Sequence, residues 1–170
     1  MPALDGEPTA DILREARARG LLTSLDTVFD ATGRWERVLP SLQHLDLFTP
    51  GLAEARALTG ENEPPRVADW LQARGVREVA LTMGAEGAYV AGAGFEGQLP
   101  PVGVRAVDGT GSGDAFVAGL LYGKLAGWPF ERAARFANAV GGLATTAVGA
   151  TEGVRGVEET LALAGLGSAR

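Results

Sequence analysis

The stretch VDGTGSGDAF, residues 107–116, limits what this chain can fold into more than any other, because it sets three glycines within five positions between a strand-like apolar run and a helix-like one. Gly109, Gly111 and Gly113 allow positive φ and close backbone approach, so successive amides can point at one anion. A helix that starts just after them adds its positive end at the same place. The expected local structure is a strand, an anion-binding turn and a helix in succession. Two common phosphate-binding patterns do not fit it. A P-loop ends in Gly-Lys-Ser/Thr, whereas Gly113 is followed by Asp114; the dinucleotide fingerprint G-x-G-x-x-G needs a glycine where Asp114 stands.

Asp114 is therefore the anomaly. A carboxylate beside an anion site repels phosphate unless it has a task. One task is to accept a proton from a substrate hydroxyl as a phosphoryl group arrives, while the amides stabilise charge on the transferring group. The other is to cap the helix, a position where Asp is favoured in any case. Spacing alone leaves both open.

The flanking pattern alternates helix and strand. Residues 9–19 have helical spacing, with Ile12 and Ala16 on one face and Gly20 as a stop; residues 21–26 and 45–50 suit short buried strands, with a helical stretch at 35–42 between them. LAEARALTG continues as a helix closed by Gly60, and Pro65 opens another closed by Gly75. EVALTM predicts a buried strand; the turn GAEG leads to strands at 88–92, 95–99 and 102–107, which suggest antiparallel pairing. Residues 115–125 and 130–148 predict two helices separated by GWP, and GLGSAR a frayed tail. This order predicts one domain over residues 1–170, an α/β layer fold with a mixed sheet.

A length of 170 residues suffices for a real core, and no apolar run approaches the ~18 residues of a membrane span. The opening residues show no secretory pattern, so a cytoplasmic location is expected. There is no cysteine, which excludes disulfides and thiolate chemistry. The net charge of -6 and the lack of clustered basic residues argue against nucleic-acid binding; Lys124 is the only lysine. His44, the one histidine, is read as a strand-cap residue, and Trp35, Trp70 and Trp128 as packing residues.

The sequence DGTGSGDAFVAGLLYGKL resembles the second signature of the ribokinase-like, or PfkB, carbohydrate kinases, usually close to D-T-x-G-A-G-D-x-F. Three further segments resemble that family in the same order: LDLFTPGLAEARALTG its Pro-Asn-Glu-x-Glu segment, LTMGAEGAYV its nucleotide turn, and FANAVGGLATTAVGA its adenine-side helix. The resemblance implies a three-layer α/β/α sandwich, of which this chain carries the C-terminal half, with a mainly parallel sheet and an antiparallel edge. It implies an ATP-dependent sugar kinase using Mg2+ and, as in some members, a monovalent cation such as K+. On these positions Asp114 would be the catalytic base, with the amides of Gly111, Ser112 and Gly113 as the anion hole. Thr82, Gly84 and Gly87 would border the nucleotide, and Asn138 the adenine. Asp108, Thr110 and the segment ending at Gly149 match positions that hold the monovalent cation.

The match is incomplete in two places. Gly51 stands where the family's Asn-x-x-Glu motif has asparagine, so of that Mg2+-positioning pair only Glu54 remains. The family's N-terminal half, with its Gly-Gly signature, sugar contacts and lid, has no counterpart in these residues. Residues near Asp26 and Arg34 lie where sugar kinases approach substrate, but ordinary solvated roles suit both. Exposed sheet would then favour homo-oligomers. Two functions follow: a kinase acting on a small-molecule sugar, or a non-catalytic nucleotide-binding fragment or assembly subunit.

Overall fold

A computed structural model of the chain describes residues 6–28, 32–92 and 94–168. It forms two compact units, Met1–Leu81 and Thr82–Arg170.

The first unit alternates helices with parallel strands. Helix α1 (Gly6–Ala18) is followed by strand β1 (Ser24–Leu25), a 3₁₀ turn at Trp35–Val38 running into α2 (Leu39–Leu42), strand β2 (Leu47–Phe48), and helices α3 (Leu52–Thr59) and α4 (Pro64–Gln72). Strand β3 (Glu78–Thr82) closes the series. β1 pairs with β2 through Ser24↔Leu47, and β2 with β3 through Leu47↔Glu78, both parallel. The core is apolar: Leu42, Leu45, Leu47, Phe48, Val67 and Leu71 are fully buried. Burying side chains of this size contributes about 1.5–3 kcal/mol each before the entropy of ordering is counted.

One buried acid organises this unit. Asp46 Oδ2 accepts hydrogen bonds from the Thr23 amide and hydroxyl, both at 3.0 Å, while its Oδ1 takes Arg77 at 2.7 Å. A carboxylate this deep is stable only because each oxygen is paired. The network joins the start of β1, the start of β2 and the residue before β3, setting strand register where the ladders are short. His44 contributes through its backbone, its carbonyl accepting the Thr23 hydroxyl at 2.6 Å.

The outer strand departs from expectation. β1 was expected to be buried over residues 21–26, yet only two residues pair, and Leu21 and Leu22 are exposed at 58% and 44%. On α1, Ile12 is 71% exposed, whereas Ala10 is buried and Leu13 and Ala16 are half-buried, so Ala16 of the expected stripe faces inward and Ile12 does not. Caps match better: Gly60 and Gly75 follow α3 and α4 with φ of 75° and 99°.

The second unit holds an antiparallel hairpin and three helices. Strands β4 (Ala88–Gly92) and β5 (Phe95–Leu99) pair from Ala88↔Leu99 to Gly92↔Phe95. Helices α5 (Ser112–Leu125) and α6 (Phe130–Ala144) run antiparallel, and α7 (Val157–Leu163) covers them. The α5–α6 contact is made by small residues: a Cβ on Gly119 would lie 2.9 Å from the Ala137 backbone. Trp128 packs edge-on to Phe136 with centroids 5.3 Å apart, under the Arg132 guanidinium.

Three expectations are corrected here. Residues 102–107 form no strand; Val104 N–H turns back to the Val102 carbonyl at 2.8 Å, and the amides of Val107 and Asp108 both donate to Thr145 O. Helix α6 stops at Ala144 rather than 148, because the hydroxyls of Thr145 and Thr146 bond back to the carbonyls of Gly142 and Leu143. The tail is held over its described part: Arg132 donates to the carbonyls of Gly167 and Ser168 at 2.8 and 2.7 Å, and Leu166 packs against the helical core. Residues 169 and 170 lie outside the described residues. With parallel strands in one unit and an antiparallel hairpin in the other, the chain is an α/β fold of mixed strand direction.

Candidate active site

The glycine loop becomes the start of α5. Gly111 sits in the left-handed region at φ 73°, and a Cβ there would stand 2.5 Å from the Ala150 side chain, so both conformation and space demand glycine. Gly109 and Gly113, expected to share that freedom, do not use it; Gly113 already lies in the first helical turn. The Ser112 amide donates to Gly109 O at 3.2 Å and the Ala115 amide to Gly111 O at 2.9 Å. Among the described residues no acceptor is recorded for the amides of Gly111, Gly113 and Asp114. They are the unsatisfied first-turn donors of a 14-residue helix, to which the helix dipole adds positive potential.

A cavity of about 320 Å³ opens beside this turn, entirely within the second unit. Its walls include Thr82 at the end of β3, Gly84 and Gly87 from the 3₁₀ turn (Gly84–Glu86) and its cap, Ser112 and Gly113 from α5, and Asn138 from α6. Together with Gly109, which also lines it, seven of the residues singled out from sequence are brought together. The volume falls at the lower end of small-molecule sites. Asn138 is oriented by its Nδ2, which donates to Pro100 O at 2.7 Å.

Sequence reasoning missed the apolar wall. Val102, Val104 and Phe116 line the cavity together with Gly141 and Gly142. A Cβ on Gly142 would meet Val102 Cγ2 at 2.2 Å, so this glycine lets the 102–104 segment lie against α6. The signal that could have found it is the Gly141-Gly142 pair inside a helical pattern, which costs helix stability without a packing reason.

Asp114 lies in the first turn of α5, exposed to solvent, and is not among the cavity walls. Its placement one residue past Gly113 puts a carboxylate at the positive end of the helix, next to the free amides. Asp108, Thr110 and Gly149 do come together. Asp108 Oδ1 accepts the Thr110 amide at 3.0 Å and hydroxyl at 2.7 Å, and Oδ2 accepts the Gly149 amide at 3.1 Å. The Thr110 amide, then that of Gly149, then the Thr110 hydroxyl hold the Asp108 carboxyl below its usual range.

Glu54 belongs to the first unit, in the first turn of α3. Its Oε2 accepts the Gly51 amide at 3.1 Å and also the Thr27 hydroxyl. Among the described residues no three His, Cys, Asp or Glu side chains gather as a metal-binding group. No helix there is long and apolar enough to cross a membrane.

Comparison with known proteins agrees with this architecture. The sequence profile of pfkB family carbohydrate kinases matches residues 5–155. The chain is similar to the 2-dehydro-3-deoxygluconokinase of Bacillus subtilis (strain 168), 40% identical over 110 residues that make up 64% of this chain and 34% of that protein. Among solved structures, it is similar to a candidate ribokinase II from E. coli in complex with ATP and Mg2+, with TM-score 0.78 and 26% identity over 89% of this chain and 51% of that one. It is also similar to a fructokinase double mutant from Vibrio cholerae O395 bound to fructose, ADP and potassium ion, with TM-score 0.79 and 25% identity over 92% of this chain and 55% of that one. The chain therefore spans about a third of the gluconokinase and about half of each solved kinase. The ribokinase-like fold is shared.

Proposed function

This chain belongs to the pfkB family of carbohydrate kinases, and from that premise we propose that it supplies the nucleotide-holding and phosphoryl-transfer part of a kinase that moves the γ-phosphate of ATP to a sugar hydroxyl. The observation that carries the proposal is the cavity of about 320 Å³ walled by Ser112 and Gly113 at a helix start where, among the described residues, the amides of Gly111, Gly113 and Asp114 have no recorded acceptor and the Asp114 carboxylate stands in the same turn. Phosphoryl transfer asks little covalent chemistry of a protein; it asks for positioning and for donors aimed at developing charge.

In this reading Thr82 at the end of β3, Gly84 and Gly87 of the turn that follows it, and the face of α6 bearing Asn138 hold the nucleotide. The amides of Gly111 and Gly113 meet the transferring phosphate, with Ser112 between them. Asp114 takes the proton of the attacking hydroxyl. Glu54, already held on one oxygen, would take hydrated Mg2+. Mg2+ supplies neutralisation of phosphate charge when bound. Asp108 and Thr110, stapled to Gly149, would hold a monovalent cation such as potassium. The acceptor is a small-molecule sugar.

Isothermal titration with ATP and Mg2+ tests the reading: binding in the millimolar range or tighter is expected, and a folded chain that takes up no ATP would remove it. The partial span relative to its relatives favours a second reading, a nucleotide-binding module without turnover of its own. ATP binding with no sugar-dependent ADP release from the polypeptide that carries this chain would select it.

A further inference from the structure

We infer that Thr27 is the positioning residue for Glu54, fixing which carboxylate oxygen that side chain presents. The inference rests on the proposed role of Glu54 toward Mg2+ and adds to it a residue from a different strand. In the first unit, Thr27 follows the carboxyl end of β1, and Glu54 lies in the turn of helix that follows β2. β1 and β2 are parallel neighbours. Ligands of open α/β sheets bind beyond the carboxyl ends of such strands, so the pair occupies the edge where a ligand-facing carboxylate is expected.

The hydrogen bonds single out one oxygen. Both the Thr27 hydroxyl and the Gly51 amide donate to Oε2 of Glu54, and Thr27 is 9% exposed. The Gly51 bond is the one half of a capping box that a glycine N-cap permits, an ordinary device at a helix start. It does not require the second donor, which comes from 27 positions earlier in the chain. Two donors on a single oxygen fix the plane of the carboxylate, and among the described residues no partner is recorded on Oε1. Gly51 brings no side chain to this corner, so the Thr27 hydroxyl is the side-chain donor recorded on Glu54. A second partner that orients a ligand-bearing group is the usual way a metal-positioning carboxylate is tuned.

The experiment measures ATP affinity by isothermal titration, once with Mg2+ and once with EDTA, for the parent chain, Thr27→Val, Thr27→Ser and Glu54→Gln. The ratio of the two affinities is the readout. Thr27→Val keeps shape and removes the donor; it should lower the ratio roughly 3- to 10-fold, the worth of one hydrogen bond, while the EDTA affinity stays within about twofold. Thr27→Ser should restore the ratio. Thr27→Val added to Glu54→Gln should change it no further, because the two act through one group. If Thr27→Val keeps the parent ratio and only melts earlier, Thr27 merely supports the fold and the inference is wrong. An unchanged ratio in Glu54→Gln overturns it equally. If Thr27→Val does not fold, Thr27→Ala is judged by the same ratio. A parent that binds no ATP defeats the functional reading itself, and this inference with it.

Discussion

Gly149 donates its backbone N–H to Asp108 Oδ2 at 3.1 Å across 41 positions of sequence, tying the loop beyond α6 to the loop before α5. Because Thr110 occupies the other oxygen of the same carboxylate, the approach to the anion turn is held by one ionised side chain.

The first prediction concerns pH. The Asp108 carboxyl is held below its ordinary value of 3.8 by the Thr110 and Gly149 donors. A group depressed in the folded state adds stability that is fully present above the unfolded value and is lost as pH falls through the folded one. The Gly149 and Thr110 amide resonances should therefore titrate together with a midpoint under 3.8, and Asp108→Asn should abolish the titration. A midpoint at or above 3.8 would show that the staple does not form in solution.

Two glycines of the anion turn should respond in opposite ways. Gly111→Ala places a Cβ at positive φ and 2.5 Å from Ala150; denaturant unfolding should show a loss of about 1–3 kcal/mol. Gly113 has open space around its Cβ position and helical backbone. Gly113→Ala should be neutral or stabilising by up to about 1 kcal/mol, the helix preference for alanine. Equal losses at both positions would contradict the turn described here.

Asp114→Asn tests the chemistry, in the polypeptide that carries this chain and turns over sugar. The change keeps size and capping capacity and removes the proton acceptor, so the rate should fall roughly 10²- to 10⁴-fold. ATP affinity should hold or rise, since one negative charge leaves the anion turn. A variant that retains more than about a tenth of the parent rate would reduce Asp114 to a helix cap.

Self-association is the fourth expectation. Among the described residues β1 pairs on one side only, and Leu21, Leu22 and Val28 around it are exposed at 58%, 44% and 84%. Unpaired edges beside apolar side chains recruit further strands. Light scattering of this 170-residue chain should show species larger than a monomer, and Leu21→Lys with Leu22→Lys should reduce them. A single sharp monomer peak from the parent would refute this.

Much of this molecule was legible because its punctuation is local. Gly60 and Gly75 end helices by their own backbone preference, and the anion turn announces itself through Gly111 followed by a helix. What misled was alternation taken out of context. Val102 and Val104 alternate as strand residues do, but they wall a cavity, and the amides that a ladder would use go to Val102 O and Thr145 O instead. Leu21 and Leu22 read as buried because they are apolar, although apolar side chains are also common on surfaces. α7, with only seven residues, carries too little periodicity to be seen. The Thr27 hydroxyl on Glu54 joins positions 27 apart, which no local pattern reveals.

The contact between α5 and α6 has a mechanical consequence. Where Gly119 meets Ala137 and Val140, and Gly123 meets Ala133, there are few rotamers to rearrange and backbone lies nearly on backbone. Close-packed interiors transmit strain rather than absorb it, and here even the small slack of turning side chains is reduced. A push on the amino end of α5, where Ser112 O would already crowd a Cβ of Gly141 at 3.0 Å, is therefore passed to α6 as a displacement of the whole helix. The two ends of the cavity, one built on each helix, behave as parts of a single stiff lever.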